Sequence, residues 1–261
     1  MSKSKVSKSD NSFDIAILLK IAKNNYPNEM SKLLVLTGGS KGIGRAIIEK
    51  FVEHGFDIAT CARNLAGLEL LKNKLSGKAE VNIFQADISV RDQVAQFIEF
   101  VKKLNRPVDV LVNNAGYFIP GEILTEPEGN LEAIMDTNLY SAYHVTRGVV
   151  PQMRKSRSGH IFNICSIASI MAYKNGGSYA ISKFAMLGFS KCIREELKES
   201  GIRVTSVIPG STKTDSWADS ELPDDRFMKV EDIADMVYAS HALSARSVVE
   251  ELIIRPQLGD I

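Results

Sequence analysis

Leu33-Leu34-Val35-Leu36-Thr37-Gly38-Gly39-Ser40-Lys41-Gly42-Ile43-Gly44 is the stretch that decides the fold. Residues 33–37 are an apolar run without polar alternation, as a strand covered on both faces requires. A glycine-rich turn follows. From Gly42 to Gly55 the chain reads as a helix, with Ile43, Ala46, Ile47 and Phe51 on one face. Glycines between a buried strand and a helix let the backbone approach a pyrophosphate, and the helix start offers free N–H groups and a positive dipole end. The spacing is T-G-x-x-x-G-x-G, with glycines at 38, 42 and 44, and not the better-known G-x-G-x-x-G. Gly38, Ser40, Lys41, Gly42, Ile43 and Gly44 are therefore candidate cofactor-binding residues. A tight turn without a ligand would leave the same glycines, so the run is not decisive alone.

The same alternation continues outward. Strands are expected at Phe56–Cys61, Val81–Gln85, Val108–Val112, His160–Ile164, Arg203–Ile208 and Glu251–Ile254. Helices are expected at Leu65–Leu75, Val90–Leu104, Leu131–Arg154, Ser178–Lys198 and Val230–Ser244. Strands separated by helices of this length need crossover connections, hence a parallel sheet with helices on both faces. The expected class is α/β: a Rossmann-type doubly wound sheet of about seven strands, a single domain over residues 31–261. Residues 1–30 differ. Their first dozen residues are Ser/Lys-rich and read as disordered, and residues 13–23 have a weak amphipathic helical pattern that Pro27 would end. This extension is expected to be dispensable, with Met30 a candidate native start.

Composition narrows the function. The 261 residues are 44% hydrophobic and 24% charged, ordinary for a globular protein. Lys plus Arg is 32 against 31 acidic residues, a net charge of +1 that gives no electrostatic case for nucleic acid or an anionic membrane. No apolar run is long enough to span a bilayer, and the start does not read as a signal peptide. Cys61, Cys165 and Cys192 form no CxxC pair, which favours a reducing, cytoplasmic setting. His54, His144, His160 and His241 show no metal-ligand spacing.

The end of the second strand tests the cofactor. A site for NAD usually places Asp or Glu there for the ribose 2′-hydroxyl. Here the chain reads Thr60-Cys61-Ala62-Arg63-Asn64, with no carboxylate. Arg63, together with Lys41 in the glycine turn, favours the 2′-phosphate of NADP unless both merely face solvent. After the third strand, Asp87 and Ile88 are placed for the adenine, although Asp87 can equally cap the next helix. The fourth strand ends in Asn113-Asn114-Ala115-Gly116, whose small residues leave room for a ribose.

Tyr179 and Lys183 stand four apart, on one face of an expected helix. A phenol with a pKa of about 10 is a poor acid–base catalyst at neutral pH, and a nearby ammonium is expected to lower it. Ser166 follows the fifth strand, 13 residues before Tyr179, where its hydroxyl can hold a carbonyl oxygen. A Tyr/Lys pair at this spacing is common by chance, so the ordered set of pieces carries the weight.

That set resembles the short-chain dehydrogenase/reductase family over about residues 33–255. The matching pieces are the T-G-x-x-x-G-I-G turn at 37–44, N-N-A-G at 113–116, Asn138, Ser166, Tyr179, Lys183 and Pro209-Gly210. The resemblance implies a catalytic tetrad of Asn138, Ser166, Tyr179 and Lys183. In it Tyr179 exchanges the proton, Ser166 steadies the substrate oxygen, Lys183 binds the nicotinamide ribose and Asn138 holds a water linked to Lys183. Thr212, after Pro209-Gly210, would contact the nicotinamide carboxamide. The implied activity is NADP(H)-dependent exchange between a small-molecule carbonyl and its alcohol, in a homodimer or homotetramer. The C-terminal tail is more similar to that of bacterial sepiapterin-reductase-like members, which weakens a 3-oxoacyl-thioester assignment. An NAD-linked alcohol dehydrogenase is opposed by Ala62 and Arg63. A non-catalytic dinucleotide sensor or an oligomeric scaffold would not need both Tyr179 and Lys183. Substrate-lining residues are expected in 167–175 and 211–228, with Tyr173, Trp217, Phe227 and Met228 making a partly aromatic, comparatively open pocket.

Overall fold

The computed structural model describes residues 31–217 and 220–261. The expectations for residues 1–30 lie outside the described residues. The strands are β1 (Leu33–Thr37), β2 (Asp57–Ala62), β3 (Val81–Gln85), β4 (Val110–Asn113), β5 (Gly159–Ile164), β6 (Ile202–Pro209) and β7 (Glu251–Ile254). They form one seven-stranded sheet in the order β3-β2-β1-β4-β5-β6-β7, and every pairing is parallel. The helices are α1 (Gly42–Glu53), α2 (Leu65–Lys74), α3 (Arg91–Lys103), α4 (Asn130–Met135), α5 (Ser141–Ser156), α6 (Gly177–Leu197) and α7 (Val230–Ala242).

Alternate residues of each strand enter different cores. On one face Leu34, Leu36, Ile58, Val110 and Val112 pack with Ile47 and Phe51 of α1 and Ile233 and Val237 of α7. On the other, Val35, Ala59, Leu111, Ile161 and Val204 pack with Val94 and Phe97 of α3, Val145 and Val149 of α5 and Ile193 of α6. The register places Ala59, Val35, Leu111, Ile161 and Val204 in one row across five strands. Burial on both faces explains why the strands read as apolar runs. Each fully buried large side chain contributes about 1.5–3 kcal/mol of transfer free energy. The sheet order reverses between β1 and β4, so a crevice opens beyond their carboxyl ends.

One expected helix is two. Residues 131–154 are interrupted by a π-helical turn at Asp136–Tyr140, between α4 and α5. A π turn inserts one residue into the helical ladder and re-aims the side chains around it, here including Asn138. Among the described residues, no helix is long and apolar enough to cross a membrane.

Candidate active site

The crevice at the switch point is a cavity of about 750 Å³, within the range of cofactor and ligand sites. Its first wall is the glycine turn. Gly38 has φ +79°, a left-handed conformation that favours glycine, and a Cβ there would sit 3.0 Å from the Asn114 side-chain nitrogen. A Cβ on Gly44 would lie 2.4 Å from that nitrogen and 2.4 Å from the Gly38 carbonyl oxygen. These two glycines let the turn pack directly against Asn114 and the end of β4. The Asn114 amide donates to the carbonyls of Thr37 (3.0 Å) and Gly38 (3.1 Å), and the Thr37 hydroxyl accepts from the backbone of Asn114 and Ala115. The ends of β1 and β4 are thereby locked together. α1 begins without a side-chain cap or an acidic residue in its first turn. A helix start of this kind presents free N–H groups and a positive dipole end, which suit an anion.

Along the cavity lie Gly38, Ser40, Lys41, Gly42, Ile43, Gly44, Arg63, Asp87, Ile88, Asn114, Ala115 and Gly116. Ser166, Tyr179, Lys183, Pro209, Gly210 and Thr212 line it as well. Arg63 is exposed and has no ion-pair partner among the described residues. Lys41 instead pairs with Asp215, both side chains being about 70% exposed, so the cation expected to face a 2′-phosphate has a protein partner here. Asp87 accepts from the backbone (2.9 Å) and hydroxyl (2.7 Å) of Ser89. Burial pushes its carboxyl up, but the Ser89 bonds and the Arg63 guanidinium outweigh that and hold it below the usual range.

Ser166, Tyr179 and Lys183 share another wall of the cavity. Ser166 leads a short turn at Ile167–Ser169 and accepts from the Ala168 backbone at 3.2 Å. Its hydroxyl lies on the Tyr179 side of the cavity, where it draws the phenol pKa down. The Tyr179 ring meets Phe118 edge-on, with centroids 4.8 Å apart. Lys183 is buried, donates to the Ile164 carbonyl at 2.9 Å, and stands 5.7 Å from the centre of the Tyr179 ring. The expected lowering of the phenol does not hold in this arrangement. Burial raises Tyr179, Ser166 pulls it down and Cys165 pushes it up, the net being above the ordinary value. Burial likewise lowers Lys183, which weakens its ammonium as a source of field at the phenol.

Asn138 sits behind the wall, 2% exposed. Its carbonyl oxygen accepts from the Tyr117 backbone (3.0 Å), and its amide donates to the Tyr117 carbonyl (3.1 Å) and the Ser182 hydroxyl (3.0 Å). The side chain is thus committed to protein partners, where the resemblance implies that it holds a water. Thr212 is 4% exposed, and its hydroxyl donates to the Gly210 carbonyl at 3.0 Å.

Tyr173 and Trp217 line the cavity, joined by Phe118, Ile167 and Met171. Phe227 and Met228 do not line it. Phe227 is 6% exposed and tilts against Trp217 at 5.3 Å, and Met228 belongs to the core under α1 and α7. Sequence reasoning missed Tyr117, Cys165, Asp260 and Ile261, which also line the cavity. The last two were within reach: β7 is parallel to β6, so whatever follows it emerges at the same carboxyl edge. Among the described residues, no group of His, Cys, Asp and Glu is arranged to hold a metal ion.

The chain matches the family model for short chain dehydrogenases over residues 32–224. It is 33% identical to a sepiapterin reductase of Chlorobaculum tepidum over 242 residues, 89% of this chain and 99% of that protein. It is 28% identical to an uncharacterized oxidoreductase of Staphylococcus epidermidis, across 86% of this chain and 97% of that one. Among solved structures, it superposes on a metagenomic short-chain oxidoreductase in complex with NADP with TM-score 0.75 and 29% identity, covering 87% and 97% of the two chains. An alcohol dehydrogenase from the archaeon Thermococcus sibiricus, complexed with 5-hydroxy-NADP, gives TM-score 0.81 at 25% identity with the same coverage.

Proposed function

The chain belongs to the short chain dehydrogenase family of oxidoreductases, and on that premise we propose that it interconverts a carbonyl compound and its alcohol with NADP(H). The observation that carries the reading is that Ser166, Tyr179 and Lys183, the last 5.7 Å from the Tyr179 ring centre, line the same cavity as the glycine turn. The cradle fits a dinucleotide. Gly38 and Gly44 let the turn pack directly on Asn114 at the edge of the cavity, and the bare start of α1 suits a pyrophosphate. Arg63 directly follows β2, whose own end carries no carboxylate, and favours NADP over NAD.

The reduced nicotinamide supplies the hydride when bound. The protein's part is to hold the substrate oxygen and move a proton. Ser166 donates to that oxygen, and Tyr179 gives it the phenolic proton as negative charge builds. Burial keeps the phenol protonated at neutral pH, so it stands ready as an acid in the direction of reduction. Once that oxygen is an alcohol, the single Ser166 proton is free to turn to the phenolate that remains. Lys183 would hold the nicotinamide ribose. Phe118, Ile167, Met171, Tyr173 and Trp217 favour an apolar or aromatic carbonyl substrate. The Chlorobaculum relative makes sepiapterin the first compound to assay.

Tyr140 and Tyr143, with Ile181 and Phe184 of α6, are large apolar residues left more than a third exposed. They supply a face for pairing with a second copy, and a homodimer or homotetramer follows. The chemistry is tested by following NADPH consumption over a carbonyl panel, with NADH in parallel. Turnover with a higher kcat/KM for NADPH is expected. No turnover of any carbonyl, or a preference for NADH, would overturn the reading.

A further inference from the structure

We infer that Glu126 is a positioning residue for Tyr179, an inference that rests on the acid–base role given to Tyr179 above. α6 carries both Tyr179 and Lys183, yet its start has no side-chain cap of its own and no acidic residue in its first turn. The orphan N–H groups there need an acceptor. Glu126 supplies one from the segment after β4. One carboxylate oxygen accepts from the Ser178 hydroxyl, and the other from the Ser178 backbone (3.4 Å) and the Asn130 amide (3.0 Å). Ser178, 1% exposed, immediately precedes Tyr179. A negative charge at this end also complements the helix dipole. The Ser178 and Asn130 bonds hold the Glu126 carboxyl below its usual range, so it is ionised at neutral pH.

The contact joins two walls of the cavity. The Gly121 backbone donates to the Asn175 carbonyl at 3.0 Å, just before α6. Gly177 has φ +42°, and a Cβ there would lie 2.5 Å from the Gly121 carbonyl oxygen and 3.1 Å from a Glu126 carboxylate oxygen. The same segment carries Phe118, which abuts the Tyr179 ring. Asn138 closes the other side, tying Tyr117 to Ser182. Glu126 thereby clamps the first turn of α6 between the Phe118 wall and α4. This bears on catalysis because Ser166, which lines the same cavity as Tyr179, is on a separate element after β5. A slip of the first turn of α6 moves one hydroxyl and leaves the other in place.

The test compares Glu126→Ala, Glu126→Gln and Tyr179→Phe. In Glu126→Ala, kcat should fall about 10- to 100-fold, as a misplacement near 1 Å does, while the NADPH Kd stays within about twofold. Amide exchange at residues 177–180 should quicken about tenfold, since the first turn loses its acceptor. Glu126→Gln keeps one acceptor oxygen and should recover kcat to within about fivefold of the parent. Glu126→Ala with unchanged kcat, beside a severely impaired Tyr179→Phe, would overturn the inference and leave the acid–base reading standing. An unimpaired Tyr179→Phe would remove the acid–base reading instead. Unchanged exchange at 177–180 would overturn the clamp whatever the activities. A Glu126→Ala variant that loses NADPH binding along with kcat, unrescued by Gln, would mark a general structural role and also overturn it.

Discussion

Replacing Gly44 by alanine sets a methyl group against two fixed atoms. Helix propensity favours the change by up to about 1 kcal/mol, since alanine loses less backbone entropy than glycine. Sterics oppose it. The new Cβ would stand 2.4 Å from both the Asn114 nitrogen and the Gly38 carbonyl oxygen. Relief to an ordinary contact of about 3.5 Å needs a shift of roughly 1 Å. Neither neighbour yields freely. Asn114 is held by the carbonyls of Thr37 and Gly38, and the Gly38 N–H donates to the Cys61 carbonyl at 2.8 Å. Overpacking costs about 1–3 kcal/mol, and each lost Asn114 bond about 1 kcal/mol. The net is about 2–4 kcal/mol after the propensity gain, or a fall in Tm of roughly 4–16 °C for a body of this size. The NADPH Kd should rise about 10- to 100-fold, because the displaced N–H groups no longer meet the pyrophosphate. Gly55→Ala is the control: its φ is +79° with nothing within 4 Å, so it is strained but remote from the cavity. It should lose about 1–2 kcal/mol of stability and no affinity. Thermal melts and NADPH fluorescence titration decide. A Gly44→Ala protein with the parent's Tm and Kd would refute the steric reasoning.

Two further outcomes follow from charged and buried groups. Arg63→Ala should lower kcat/KM with NADPH by about 10- to 100-fold and leave NADH within about twofold. Equal losses with both cofactors would show that Arg63 does not discriminate between them. Burial, then the Arg203 charge, pushes His160 down to about 2 and His241 down to about 4, from 6.5. Both fold as neutral rings, so the unfolded chain binds more protons once pH falls below 6.5. Stability should be fully present above that pH and decline below it, by at most about 1.4 kcal/mol per pH unit for each histidine. Urea unfolding at about pH 7.5 and about pH 5 measures the decline, and equal free energies would contradict it.

The parallel sheet was legible because strands buried on both faces leave continuous apolar runs, as Leu33–Leu36 and Val110–Val112 do. The cofactor cradle was legible because Gly38 and Gly44 answer to local crowding that fixes their spacing. The π turn at Asp136–Tyr140 was not, since one inserted residue barely disturbs an apolar stripe. Phe227 and Met228 read as pocket residues by position, but burial against Trp217 and the α1–α7 core prevailed. The Tyr179 shift was mistaken in sign because spacing shows Lys183 nearby and does not show how dry both groups are. Contacts such as Glu126–Ser178, Lys41–Asp215 and Asp260 against Gly210 join residues far apart in the chain, and no local pattern announces them.

The most direct test of the chemistry is single-turnover hydride transfer by Tyr179→Phe, mixed as its NADPH complex with a carbonyl that the parent reduces. Phenylalanine keeps the ring that packs on Phe118 and removes the proton, so NADPH affinity should stay within about twofold while the rate falls by at least about 10²-fold. An unchanged rate would take the proton away from Tyr179 and leave the fold and its cofactor cradle without this mechanism.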